Sequence, residues 1–177
     1  MPTTIVSFGR NNGSYVVYLY AATTATMNTK HILVLNGPNL NAIGRREPEI
    51  YGQQSFDSYA EKLKEQFPNL EIRLYQSNHE GAIIDKLYEE EEQSESLGVV
   101  LNAGAYTHTS LALADAIRSI ELPVVEVHIS NTAARDKIRQ QSLIAAACKG
   151  SITGFGLHSY ALAIQALLFL HHNDTHK

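Results

Sequence analysis

The sequence predicts an α/β fold: a five-stranded parallel sheet with helices on both faces. Three observations predict it. Short apolar runs of strand length recur along the chain, among them Ile32-Leu33-Val34-Leu35, Gly98-Val99-Val100-Leu101 and Val124-Val125-Glu126-Val127. Segments of helical period separate them, which is the pattern of strands joined by crossover helices. The 177 residues, 44% hydrophobic and 18% charged, suit one domain with a sizeable core and exclude a disordered chain. Fourteen basic residues against eighteen acidic ones give a net charge of -4, which argues against nucleic acid or an anionic membrane as partner.

Taken in order, the first strand, from Ile32, ends at Asn36 and opens a long loop from Gly37 to Gly52, broken by Gly37, Pro38, Gly44, Pro48 and Gly52. Phe56, Tyr59, Leu63 and Phe67 then recur at helical spacing, with Ser55 as N-cap and Asp57 in the first turn. Leu70, Ile72 and Leu74 alternate as a half-buried strand that runs into the polar turn Gln76–Gly81. A helix with Ile83, Ile84, Leu87 and Tyr88 follows, its outer end the acidic run Glu89–Glu92. The strand 98–101 ends at Asn102, and Thr109 or Ser110 starts a helix around 111–120. The strand after Pro123 ends at His128, and a short basic helical piece carries Arg135, Lys137 and Arg139. A fifth strand over 150–156 and a last helix over about 158–170 close the domain, with His171 and His172 as tail residues. Right-handed crossovers leave the flavodoxin-like order 2-1-3-4-5 as the leading topology, a three-layer sandwich.

The division is an N-terminal extension (1–29, disordered or non-native), a main α/β domain (30–172) and a tail (173–177). The extension is rich in Thr, Ser, Asn and Ala, and Met27 is an alternative start. Its one apolar cluster, Tyr15–Ala22, is too diluted by polar residues for a secretory signal, with a targeting peptide as the minority reading. No run reaches the ~20 apolar residues of a membrane span. The single cysteine, Cys148, rules out an internal disulfide and reads as a buried, inert thiol in a reducing, cytoplasmic setting.

Chemistry collects where the strands end. In parallel sheets ligands bind at the carboxyl ends of the strands, and here those ends carry Asn36, Asn78-His79-Glu80, Asn102 and His128. Asparagine also caps turns, but four such ends favour a site. Glu126 stands two residues before His128, so on a strand both point to one face. There the carboxylate orients the imidazole as a general acid. The long loop adds Arg45, Arg46 and Tyr51. Beside a guanidinium, a tyrosine's pKa falls from its reference value of ~10 and makes it a usable base; packing over Pro48 is the competing reading of Tyr51. No histidine pair has metal-ligand spacing, and no phosphate-binding glycine loop follows a strand.

Five motifs, in order, carry a specific resemblance. They are Asn36–Asn41, Arg46–Gly52, Gln76–Gly81, Asn102–Ser110 and Glu126–Asn131. Together they resemble the type II 3-dehydroquinate dehydratase family, from about Lys30 to Leu168. The resemblance implies a flavodoxin-like, metal-free and cofactor-free lyase of the shikimate pathway, which leads to chorismate and the aromatic amino acids. It also implies a homododecamer built as a tetramer of trimers. Two stretches depart from the family pattern. Thr132-Ala133-Ala134-Arg135 lacks a histidine before Ala-Arg, and Gln140-Gln141-Ser142-Leu143 replaces a histidine pair and a tyrosine.

By this resemblance, 3-dehydroquinate loses water to give 3-dehydroshikimate through an enolate. Tyr51 is the base, its phenolate stabilised by Arg46. Asn39 positions a water or polar contact on the enolate oxygen, and His128, oriented by Glu126, protonates the departing hydroxyl. Asn102, His108, Ile129, Ser130 and Arg139 bind substrate, and Asp115 reaches a neighbouring subunit's site at a trimer contact. Arg45 is treated as loop structure. The alternatives from other classes are a non-catalytic flavodoxin-like module that binds a sugar acid, and a hydrolase using Ser110 or the histidines.

Overall fold

The described residues form two sheets, one small and one that organises everything else. The structure, a computed structural model, describes residues 4–11, 14–21, 29–43 and 55–174. Within the N-terminal extension, strands β1 (Thr4–Asn11) and β2 (Ser14–Ala21) pair antiparallel, from Thr4 opposite Ala21 to Asn11 opposite Ser14. These strands are not among the elements expected from the sequence. The signal for them is the Asn12-Gly13 pair between two apolar runs, a strong short-range hairpin signal.

The main sheet holds β3 (His31–Asn36), β4 (Glu71–Gln76), β5 (Ser96–Asn102), β6 (Val124–His128) and β7 (Gly150–Thr153). Its order is β4-β3-β5-β6-β7 and every pairing is parallel, which is the expected 2-1-3-4-5. The helices are α1 (Phe56–Gln66), α2 (Glu80–Glu91), α3 (Leu111–Ser119), α4 (Lys137–Gln140) and α5 (His158–Asp174). Among the described residues no helix is long and apolar enough to cross a membrane.

Strand periodicity splits the core into two layers. Ile32, Val34, Val100, Val125 and Val127 pack with Leu63 of α1 and with Tyr160, Ile164 and Leu167 of α5. Leu33, Leu35, Val99, Leu101 and Val124 face the other way, onto Ile83 and Leu87 of α2 and Leu113 and Ile117 of α3. Full burial of each such side chain contributes about 1.5–3 kcal/mol, so the two layers fix the register and hence which residues stand at the strand ends. Helix starts follow the expected caps. Ser55 Oγ accepts from Ser58 N (3.2 Å) and Ser110 Oγ from Leu113 N (2.8 Å).

Three elements differ from their expected form. Leu74 shares the face of buried Ile72 but is 41% exposed, because β4 is an edge strand and α1 begins only at Phe56. The last strand stops at Thr153 instead of 156, since Gly154 takes φ +95°, a left-handed conformation that breaks the strand. The last helix continues to Asp174, so His171 and His172 are helical, with Lys30 Nζ 2.7 Å from His171 Nε2.

Candidate active site

The strand β3 carries its ladders with β5 and β4 past their ends, and this builds the floor of a pocket. Gly37 N donates to Asn102 O at 2.7 Å, and Ser77 N to Asn36 O at 3.0 Å. The backbones approach so closely that a Cβ on Gly37 would lie 2.5 Å from Ala103 O, so only glycine fits. Beyond it Asn39 takes φ 66°, a left-handed conformation that asparagine tolerates better than most residues. Its N–H donates to Asn78 Oδ1 at 2.9 Å, which ties the loop after β3 to the turn after β4.

The pocket lies at the carboxyl edge of the sheet. The loop after β3 contributes Pro38, Asn39 and Leu40, and the end of β5 contributes Asn102, Gly104 and His108. His128, Ile129 and Ser130 come from the end of β6, and Arg135 and Arg139 from the basic segment after it. The sequence-predicted residues Asn39, Asn102, His108, His128, Ile129, Ser130 and Arg139 are therefore brought together. Glu126 stands directly behind His128.

The acid–imidazole pair has well-defined geometry. Glu126 Oε1 accepts from His128 Nε2 at 2.9 Å. The same oxygen accepts from Ser142 Oγ at 2.8 Å, and Oε2 accepts from Ser151 Oγ at 2.5 Å. Ser151 is the register partner of Glu126 on the next strand, so this last bond follows from the sheet itself. Burial alone would push the Glu126 carboxyl up; the hydrogen bonds from His128 and Ser151, the charge of His128 and the bond from Ser142 outweigh it and hold the pKa below the ordinary carboxylate value. With Nε2–H committed to a carboxylate, Nδ1 is the ring nitrogen left to exchange a proton.

His108 stacks beside His128, ring centroids 6.3 Å apart and planes 19° apart. Its Nδ1 donates to Gln141 O at 2.8 Å, which leaves Nε2 as the free nitrogen. The partner is a backbone carbonyl, so the glutamine at 141 supplies this contact whatever its side chain. Arg135 Nη1 donates to Ser130 Oγ at 3.2 Å and so fixes the hydroxyl after Ile129. Such a pocket, with two guanidinium groups, imidazoles and amides, suits an anionic polyhydroxylated molecule, and a carboxylate pairs bidentately with arginine.

Other expectations fall elsewhere. Tyr51, Arg45 and Arg46 lie outside the described residues. Asp115 does not line the pocket; it is exposed on α3 and pairs with Arg118 at 2.9 Å. His79 is exposed at the start of α2 and does not line the pocket, so the turn after β4 contributes through Asn78 instead. Ser110, the hydrolase candidate, is buried and its oxygen caps α3. Cys148 is no nucleophile: burial and the nearby Glu126 charge push its thiol up to about 12.

Sequence reasoning passed over Ser142, Ser151, Arg135 and Tyr160. Arg135 left a trace as part of the basic piece, and Ser142 as part of the stretch that departs from the family pattern, neither with a role. The serines and Tyr160 act through partners fixed by the fold, and no spacing in the chain marks them.

The comparisons with known proteins agree with one another. The family model described as dehydroquinase class II matches residues 30–168. A 3-dehydroquinate dehydratase from Pelodictyon phaeoclathratiforme is 51% identical over 142 residues, 80% of this chain and 94% of that protein. One from an Exiguobacterium species is 56% identical over 138 residues, 77% of this chain and 93% of that protein. The crystal structure of the type II dehydroquinase from Butyrivibrio crossotus superposes with a TM-score of 0.75 at 45% identity, covering 78% of this chain and 97% of that one.

Proposed function

The chain belongs to the class II dehydroquinase family, and from that membership we infer what the pocket does. It is a hydro-lyase that removes water reversibly from 3-dehydroquinate to give 3-dehydroshikimate, a step of the shikimate pathway. The observation that carries the reading is the Glu126–His128 pair, which opens into a pocket shared with Asn39, His108 and Arg139.

The mechanism follows from what such an elimination requires. A base takes a proton from the carbon next to the ketone, and the electron pair moves onto the carbonyl oxygen as an enolate. We assign the base to Tyr51, held ionised by the Arg46 guanidinium, and the contact to the enolate oxygen to Asn39. As the enolate collapses, the carbon–oxygen bond to the leaving hydroxyl breaks, and His128 supplies the proton that lets it depart as water. Glu126 orients the ring, and its charge balances the imidazolium while the proton waits. Asn102, His108, the Ile129-Ser130 segment and Arg139 hold the hydroxyls and carboxylate of the substrate. Tyrosine ends protonated and histidine neutral, so one proton relay through solvent resets the site.

The direct test is the absorbance of the conjugated enone when dehydroquinate is added to purified protein. Turnover is expected, and Tyr51→Phe should lower it at least ~100-fold, as loss of a positioned acid–base group does. A folded chain without turnover would sink the reading.

We assign the catalytic unit to residues 30–172, with residues 1–29 an accessory extension; a chain lacking residues 1–28 should keep its turnover. Association into trimers, four to a dodecamer, is part of the same proposal, in a cytoplasmic setting. On α3, Leu111 is 67% exposed and Asp115 stands one turn beyond it. Residues four apart share a helix face, so this face offers an apolar contact beside a carboxylate to a neighbouring copy. Sedimentation of the purified chain as a monomer would remove the assembly from the proposal.

A further inference from the structure

Behind the pocket floor lies a hydrogen-bond chain that the mechanism above does not use. Tyr160, on α5, is fully buried, with Phe56 and Tyr59 of α1 packed near its ring at centroid distances of 5.0 and 6.4 Å. Its hydroxyl donates to Asn36 Oδ1 at 2.8 Å and accepts from Asn102 Nδ2 at 2.8 Å. Asn36 and Asn102 are register partners at the ends of β3 and β5, so one phenol spans both strand ends.

The direction of this chain is forced. A phenol has a single hydrogen to give, and Asn36 Oδ1 takes it, so Asn102 must present its amide nitrogen to Tyr160. Asn102 Oδ1 then faces the other way and accepts from Gly104 N at 3.3 Å. One Nδ2 hydrogen and one Oδ1 lone pair of Asn102 remain for the pocket that it lines. Burial pushes the Tyr160 phenol pKa upward, so the hydroxyl stays protonated and keeps both of its roles.

We propose that Tyr160 is a positioning residue of the active site: its hydroxyl fixes which face of the Asn102 amide the substrate meets, by locking the chain Asn102–Tyr160–Asn36. The proposal rests on the dehydroquinase reading for its substrate, though not for its geometry. Without the hydroxyl, the Asn102 amide loses a partner and can turn over, so its donor and acceptor exchange places for part of the time. Binding suffers more than chemistry, because Asn102 holds substrate and does not move protons.

The test uses the full chain and Tyr160→Phe, which keeps the ring and its packing. KM for dehydroquinate should rise about 3- to 10-fold, the effect of one hydrogen bond, while kcat changes less than about 2-fold. The same substitution in an Asn102→Ala background should add nothing further to KM. Solvent exchange of the Asn102 side-chain amide, followed by NMR without substrate, should be faster in Tyr160→Phe than in the wild type. Asn36→Ala removes the far acceptor and leaves the ring in place; it should raise KM in the same direction by less, and it decides the matter if Tyr160→Phe does not fold. An unchanged KM together with unchanged Asn102 amide exchange overturns the proposal, whatever happens to thermal stability. A wild-type chain that leaves dehydroquinate untouched overturns the reading of function instead, and the amide exchange then decides Tyr160 by itself.

Discussion

A buried histidine–glutamate pair stands at each end of the sheet, both partners on β6 at one end and His31 of β3 with Glu90 of α2 at the other, and their chemistry is nearly the same. At the carboxyl edge Glu126 Oε1 takes His128 Nε2 at 2.9 Å. At the amino edge Glu90 Oε1 takes His31 Nε2 at 2.7 Å. Each carboxylate also accepts a serine hydroxyl at this range, Ser142 on Glu126 and Ser96 on Glu90, both at 2.8 Å or less. The difference is in what surrounds them. The His128 side chain is 11% exposed into a pocket with Asn39, Asn102, His108 and Arg139. The His31 side chain is 1% exposed, with Arg73 Nη1 3.1 Å from its Nε2 and its buried Nδ1 without a partner among the described residues. One pair keeps a ring nitrogen for a substrate; the other has closed over its own. A buried imidazole on a carboxylate is therefore not by itself a site. Its place on a parallel sheet, at the edge where loops diverge and ligands enter, makes the difference.

The largest effect that would sharpen this contrast comes from replacing the two histidines. His128→Gln keeps a donor for Glu126 but cannot deliver a proton, so kcat should fall at least ~100-fold. His31→Gln should leave kcat within about 3-fold of the wild type, although it lowers the melting temperature. Equal losses of kcat in the two variants would erase the distinction between the ends. Measuring both by the enone absorbance at one substrate concentration well above KM is enough.

Replacing the carboxylates should separate the pairs less sharply. Glu126→Gln keeps the size of the side chain but removes the charge behind the ring and one of the two oxygens that accept from Ser142 and Ser151, and kcat should fall about 10-fold or more. Glu90→Gln should spare kcat and lower unfolding free energy by about 1–3 kcal/mol, the range for disturbing a buried hydrogen-bonded polar group. Glu126 also makes stability depend on pH. The folded pKa of Glu126 lies below its unfolded value, so the unfolded chain takes up the proton first as pH drops. Its stabilising contribution is complete above the ordinary carboxylate value of about 4.3 and is lost as pH falls through the lower folded value. Glu126→Gln should thus flatten the acid side of the stability curve measured by denaturant titration. A slope identical to the wild type would show that Glu126 is not held ionised by its neighbours.

The same two pairs show how much the chain could reveal before folding. Glu126 and His128 were legible because they lie two apart in a run of strand residues, and period two puts both on one face. His31 and Glu90 are fifty-nine residues apart, and nothing in the pattern joins them. The fold was legible for a related reason: apolar periodicity within each element and right-handed crossovers between them leave few topologies. The strand-end asparagines were legible as a group, but not the tyrosine that links them, since a helix reading of 158–170 does not say which side chain reaches a strand end. Leu74 misled because alternation records which face a residue is on and not whether a helix covers that face.

The smallest expected effect concerns the serines, and it tests whether the two carboxylates are tuned or merely satisfied. Ser151 and Ser142 each donate to Glu126, and each bond lowers its pKa. Removing either hydroxyl should let the Glu126 pKa rise toward the value that burial favours. If His128 needs an ionised Glu126 behind it, the acid limb of kcat against pH should move to higher pH in Ser151→Ala, and by less in Ser142→Ala, because Ser151 contributes more to the shift. At neutral pH both should remain within about 3-fold of the wild type, since one lost hydrogen bond is worth only ~0.5–1.5 kcal/mol and Glu126 keeps its other partners. Ser96→Ala removes the corresponding donor from Glu90 and should not move the acid limb at all, its effect being confined to stability. A shift in Ser96→Ala as large as in Ser151→Ala would mean that the limb reports general acid sensitivity of the fold and not the ionisation of Glu126.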